Sequence, residues 1–278
     1  MRPDNPIDRF REIVNQPEDS LNLAQAALLI AADEYPGLDV AGYLRRLDEF
    51  AARVRPEVQE EGSPRHKIER LNRYLFQTLQ FRGNLEDYYD PRNSYLNDVI
   101  DRRVGLPITL SVIYIEVGRR LGFPLSGVGL PGHFVVKWHD RAEEIFVDPF
   151  HAGEFLDEAS LLRLIEETFH ARVQLQPEWL QSVDARYILT RMLNNLRNIF
   201  LQTENFERAL DVVVKLLVLH PYSKEQLREA GVLSYRVGSY RRAAEFLEDY
   251  LLHHPDADDA VHLRTYLHTA WVAIARMN

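Results

Sequence analysis

Residues 105–149 read GLPITLSVIYIEVGRRLGFPLSGVGLPGHFVVKWHDRAEEIFVDP, and this stretch decides the fold. Its first part predicts a helix over 108–121. Pro107 suits a first helical position, where its missing N–H removes no hydrogen bond. Arg119 and Arg120 fall in the last turn, where cations favour the helix dipole. Gly122 fits a left-handed stop and Pro124 forbids continuation. Ile108, Leu110, Val112, Ile113, Ile115 and Val117 make the helix apolar on nearly every side, the mark of a buried helix. Strand-like segments follow at 126–130, 133–138 (HFVVKW) and 145–148 (IFVD), the last two flanking the polar run His139–Glu144 as a hairpin. A buried helix followed by antiparallel strands predicts an α+β core.

Outward from the core, residues 1–82 read as a helical N-terminal region. Helical spacing appears around 22–34, over 38–54 and over 66–81, with residues 56–64 as a polar linker. Residues 83–183 form the core, packed with 1–82 as one domain. They include a tyrosine-rich loop over 85–93, a short helix over 95–100 and a helix over 156–169, with Pro177 as a breaker. Residues 184–278 are all helical and repetitive. Phe206, Arg208, Ala209, His220 and Pro221 recur 34 residues later as Tyr240, Arg242, Ala243, His254 and Pro255. Each unit reads helix, short turn, helix, proline, and a period of 34 is that of the tetratricopeptide repeat (TPR). A plain helical bundle is the alternative. Gly231 occupies the small position of a first repeat helix, where the preceding unit departs with Arg197. A helix over 257–275 reads as a terminal cap, and such arrays offer a groove to proteins or peptides.

The chain has 278 residues, 46% of them hydrophobic, enough for a substantial core. Its net charge of −9 disfavours nucleic acid and anionic membranes as general partners. It contains no cysteine, which excludes disulfides, thiolate metal sites and a cysteine nucleophile. The start MRPDNPIDRF has no apolar leader, and the longest early apolar run, 26–32, is too short to span a bilayer. A cytoplasmic location is therefore expected.

The order Gly-x-x at the helix start, Leu-Gly-Phe-Pro at 121–124, Gly-His at 132–133 and Val-Asp-Pro at 147–149 resembles the transglutaminase-like core, related to papain-type folds. The segments 90–138 and 27–39 further resemble the SirB family of bacterial proteins, in which this core precedes TPRs. The resemblance spans about residues 20–255. It implies that His133 and Asp148 match the histidine and aspartate of a Cys-His-Asp triad. The cysteine position falls on Pro107, which cannot attack anything. A hairpin turn at Asp140-Arg141 would make His133 and Asp148 cross-strand neighbours.

Thr109 lies about 200° round the helix from Pro107, and Ser111 one turn deeper on the same face. Asn93, Ser94 and Asn97 either line the same cleft or cap a helix. The binding-cleft candidates are thus Asn93, Ser111, His133 and Asp148. No metal is expected, because His133, His139 and His151 match no standard zinc spacing. No phosphate loop appears, so no cofactor is expected.

Three functions fit: a non-catalytic adaptor or regulator binding a protein or peptide through its TPRs; a hydrolase or transferase using a hydroxyl or a His133-activated water; or a small-molecule or peptide binding module. The missing nucleophile favours the first.

Overall fold

The computed structural model describes residues 5–58, 62–141 and 143–277. The chain divides into two compact units, one made of residues 16–192 and the other of 1–15 with 193–278.

The larger unit opens with α2 (Leu23–Ile30), which continues as a single 3-10 turn over Ala31–Asp33. Helix α3 (Val40–Val58) then runs through Pro56, which the sequence assigned to a linker. Proline removes one backbone bond there, but it lies in the last turn, where little helix remains to break. Helix α4 (Pro64–Asn72) is capped by Ser63 and widens into a π-turn over Arg73–Thr78. Strand β1 (Arg82–Gly83) pairs in parallel with β2 (Val104–Gly105) on either side of α5 (Leu96–Arg102).

Helix α6 (Pro107–Leu121) follows the sequence reading closely. Pro107 is its first residue, and Gly122 closes it at φ 80°. From Pro107 through Gly118 every residue is buried. Helices α2, α3 and α5 pack around it.

Strands β3 (Leu125–Val128), β4 (Val135–His139), β5 (Glu144–Asp148) and β6 (Glu154–Leu156) join β7 (Ser182–Val183) in one antiparallel sheet, ordered β6-β5-β4-β3-β7. Val135 through Trp138 are all buried, so both faces of β4 are covered. Val135 joins Val128, Leu130 and the inner face of α7 (Glu158–Phe169). Trp138 turns the other way, onto Phe123 just after α6.

Two sequence expectations are corrected here. Leu156 ends a strand instead of opening a helix, because Asp157 caps α7 through the backbone N–H of Ser160. The hairpin register also differs. His139 pairs with Glu144 and Val136 with Val147, so the axis lies one residue later than a turn at Asp140-Arg141 requires. His133 precedes β4 and is not the cross-strand partner of Asp148. The turn residue Ala142 lies outside the described residues.

The second unit consists of α1 (Pro6–Val14), the later part of α8 (Ala185–Gln202), α9 (Phe206–Leu219), α10 (Lys224–Arg236), α11 (Tyr240–His253) and α12 (Ala260–Met277). Helices α9 and α11 start 34 residues apart, behind Asn205 and Ser239, and end at His220 and His254 in nearly the same backbone conformation. Ala209 and Ala243 are fully buried. A Cβ on Gly231 would lie 2.6 Å from Leu247, so the glycine permits close approach of α10 and α11. Arg197, the departure from the repeat pattern, instead pairs with Glu229 at 2.6 Å. Helix α1, which the sequence grouped with residues 16–82, packs on α9 and buries Phe10 and Val14. No described helix is long and apolar enough to cross a membrane.

Candidate functional site

The start of α6 is a closed hydrogen-bond network. The Thr109 hydroxyl lies 2.7 Å from the Asn93 carbonyl oxygen and accepts the Leu106 N–H at 3.0 Å. The Asn93 amide donates to the carbonyls of Asp87 and Tyr88, and its Oδ1 accepts from Asn84 at 3.1 Å. Asn93, a cleft candidate in the sequence, is thus fully buried and engaged in holding this cap. Asp90 supports the same turn, paired with Arg92 at 2.7 Å and Arg102 at 3.3 Å. Burial opposes ionisation of Asp90, but the Arg92 hydrogen bonds and both guanidinium charges hold its carboxyl below the usual range. Ser111 is also fully buried, and its hydroxyl has no hydrogen-bond partner among the described residues.

The polar centre lies at the end of β5. Asp148 is fully buried, and its Oδ2 is 2.8 Å from His133 Nε2 and 2.8 Å from His151 Nδ1. Its Oδ1 accepts the backbone N–H groups of Phe150 at 2.9 Å and His151 at 3.4 Å. Burial alone would push the Asp148 carboxyl up. The two imidazole hydrogen bonds and their charge reverse this and hold it well below the ordinary carboxylate range. His151 is shifted upward, chiefly by its hydrogen bond to Asp148, with burial opposing.

The surroundings fix this group tightly. The turn after Asp148 passes through left-handed Ala152 and Gly153, and the Gly153 N–H donates to the Asp148 carbonyl at 2.8 Å. Asn72 donates to the Gly153 carbonyl at 2.7 Å and accepts from the Tyr114 hydroxyl at 2.7 Å, which ties the turn to α6. Arg191 donates to the His133 carbonyl at 2.7 Å. Phe150 stands edge-on to both imidazoles, with ring centres 5.9 Å from His133 and 5.2 Å from His151.

The structure therefore brings His133 and Asp148 together, as the sequence suggested, by a loop contact and not by strand pairing. His151 joins them, signalled only by its place three residues beyond Asp148. A cavity of about 190 Å³ opens beside Asp148 and His151. Glu154, Ser160, Arg163 and Glu167 line it, whereas Asn93, Pro107 and Ser111 do not. His139 belongs elsewhere, paired with Glu144 at 2.8 Å.

Comparison with known proteins agrees with this architecture. Residues 41–194 match the transglutaminase-like superfamily and residues 196–268 the tetratricopeptide repeat. A UPF0162 protein of Xylella fastidiosa (strain 9a5c) is 38% identical over 253 residues, covering 90% of this chain and 90% of that protein. A UPF0162 protein of Vibrio cholerae is 26% identical over 248 residues, covering 89% and 92%. F-box only protein 21 of Homo sapiens is 33% identical over 182 residues, which are 62% of this chain and 28% of that protein. With a SirB-like match over nine-tenths of its length, the chain belongs to the UPF0162 family, in which a transglutaminase-like domain is joined to C-terminal tetratricopeptide repeats.

Proposed function

We propose that this protein works by binding a protein or peptide partner through its repeat unit, and that its transglutaminase-like unit is non-catalytic. One observation carries the reading: the first residue of α6, where the superfamily resemblance places a nucleophile, is Pro107, in a chain without cysteine. The nearby hydroxyls support it. Thr109 is held in the helix cap, and Ser111 is sealed inside the core away from the cavity beside Asp148. Acyl transfer needs a nucleophile within hydrogen-bond reach of its base, and among the described residues the His133 ring is hydrogen-bonded to Asp148 and to no hydroxyl. On this reading His133 and Asp148 fix the approach to β4 against the end of β5.

On this reading the partner docks on the repeat helices near a pair of aromatic rings. Tyr235 of α10 and Tyr266 of α12 stack at 4.6 Å between ring centres, both half-buried. The test is affinity capture from the protein's own cells with wild type, His133→Ala and the double variant Tyr235→Ala/Tyr266→Ala. A partner retained by the first two and lost by the double variant is expected. Failure to recover any partner across growth conditions, or loss of the partner in His133→Ala alone, would overturn the reading.

A further inference from the structure

We infer that His133, Asp148 and His151 form a binding site for one divalent transition-metal ion of the zinc class. The inference does not depend on partner binding by the repeat unit, because an ion held by these three side chains is compatible with a non-catalytic role for the unit that carries them.

Three ligating atoms, His133 Nε2, Asp148 Oδ2 and His151 Nδ1, lie within 4.8 Å of one another. No other trio of histidine and acidic side chains does so among the described residues. The residues come from the loop before β4, the end of β5 and the turn beyond it. Two imidazoles and one carboxylate are a donor set suited to borderline ions such as Zn²⁺, Co²⁺ or Fe²⁺. Hard cations such as Mg²⁺ and Ca²⁺ prefer all-oxygen sites.

The spacing fits as well. With metal–ligand distances of about 2.0–2.2 Å, tetrahedral ligands stand roughly 3.3 Å apart. Each imidazole nitrogen is now 2.8 Å from Asp148 Oδ2 and the three atoms lie within 4.8 Å of one another, so on binding each nitrogen retreats from the carboxylate by about half an ångström while the two rings close toward each other. On binding, each ring carries its proton on the nitrogen turned away from Asp148. A ring that was cationic releases one proton to solvent.

The supporting contacts are those a metal site requires. The second carboxylate oxygen is held by two backbone N–H groups. The His133 backbone is held by Arg191, and the turn is pinned through Asn72 to Tyr114. Phe150 limits the tilt of both rings.

Access is through the cavity. His151 and Asp148 line it, and the His151 side chain is 44% exposed, so water can complete the coordination. Glu154 and Glu167 line the same cavity and draw cations toward it. Arg163 is the opposing charge, and its guanidinium donates to Ser160 at 2.8 Å.

The experiment is calorimetric titration of the metal-free full-length chain with ZnCl₂ in a non-chelating buffer. Co²⁺ absorption then serves as a spectroscopic check. The expected result is saturation at one ion per chain, with visible Co²⁺ bands indicating low coordination number. His151→Ala should weaken binding at least 10-fold and abolish the zinc-induced rise in Tm. Its side chain is partly exposed, so this variant remains folded, whereas Asp148→Asn alters a fully buried group that also holds the turn. A His253→Ala control, altered at an exposed histidine of the repeat unit, should bind as wild type. The inference is overturned if no stoichiometric binding occurs. It is equally overturned if His151→Ala binds normally, or if only the surface control loses binding.

Discussion

Ser111→Ala and Thr109→Val should move stability in opposite directions. Ser111 is fully buried, and its hydroxyl has no partner among the described residues, so the native state bears the desolvation of that group without return. Replacing it with alanine removes the unsatisfied oxygen and slightly favours helix, for a gain of about 1 kcal/mol. Thr109 is equally buried, but its hydroxyl bridges the Asn93 carbonyl at 2.7 Å and the Leu106 N–H at 3.0 Å. Valine keeps the shape and deletes both bonds. The Leu106 N–H retains a longer contact to Asn93 at 3.3 Å, so the net loss is about 1–2 kcal/mol and not the full penalty of an orphaned donor. For a unit of this size each kcal/mol shifts Tm by roughly 2–4 °C. Differential scanning calorimetry should show Ser111→Ala melting a few degrees higher than wild type and Thr109→Val a few degrees lower. The reasoning is refuted if Ser111→Ala melts lower while Thr109→Val is silent. That outcome would mean that the Ser111 hydroxyl has a partner and a role.

Other expectations follow from particular contacts. Gly231→Ala would place a Cβ 2.6 Å from Leu247 Cδ2 and 2.8 Å from its Cγ, with Leu247 fully buried. Overpacking of about 1–3 kcal/mol should outweigh the roughly 1 kcal/mol gained in helix propensity, so the repeat unit should melt earlier in calorimetry. Gly153→Ala meets the Asn72 side chain at 2.4 Å and sits at φ +78°. It should destabilise by about 1–3 kcal/mol and perturb the His151 ring resonances in NMR. Asp90→Ala removes a carboxylate whose folded pKa is depressed by Arg92 and Arg102. A depressed carboxylate contributes stability above its unfolded value near 3.9 and loses it as pH falls through the folded value. Urea titrations should therefore show a wild-type advantage of about 1–2 kcal/mol at pH 7 that shrinks below about pH 4.

Much of the architecture was legible because the punctuation was strong. Pro107 and Gly122 mark both ends of α6, and the apolar run between them admits little but a buried helix. The repeat was legible because its caps and breakers, Asn205 and Ser239, His220 and His254, recur at one spacing. The hairpin register was not, because composition does not fix how many residues a polar turn takes. One residue there changed the predicted partner of His133 while leaving its contact with Asp148 intact. Helix α1 fell within the region read as helical, but no separate helix was read there, although Asn5 caps it and Pro6 occupies its first turn. Nine residues with Phe10 and Val14 as the buried pair give little periodicity to read. Asn93 was ambiguous for a different reason: an asparagine that caps and one that lines a cleft look alike until their hydrogen bonds are seen. His151 acquires its place from the left-handed turn at Ala152 and Gly153, which no local pattern specifies.

The central claim, that a partner binds the repeat unit and the transglutaminase-like unit is not the working surface, is tested most directly by hydrogen–deuterium exchange. The full-length protein would be measured alone and with its captured partner. The account predicts new protection within residues 224–277 and unchanged exchange over 133–167. Protection concentrated around His133, Asp148 and the cavity beside His151, with the repeat helices unaffected, would contradict it.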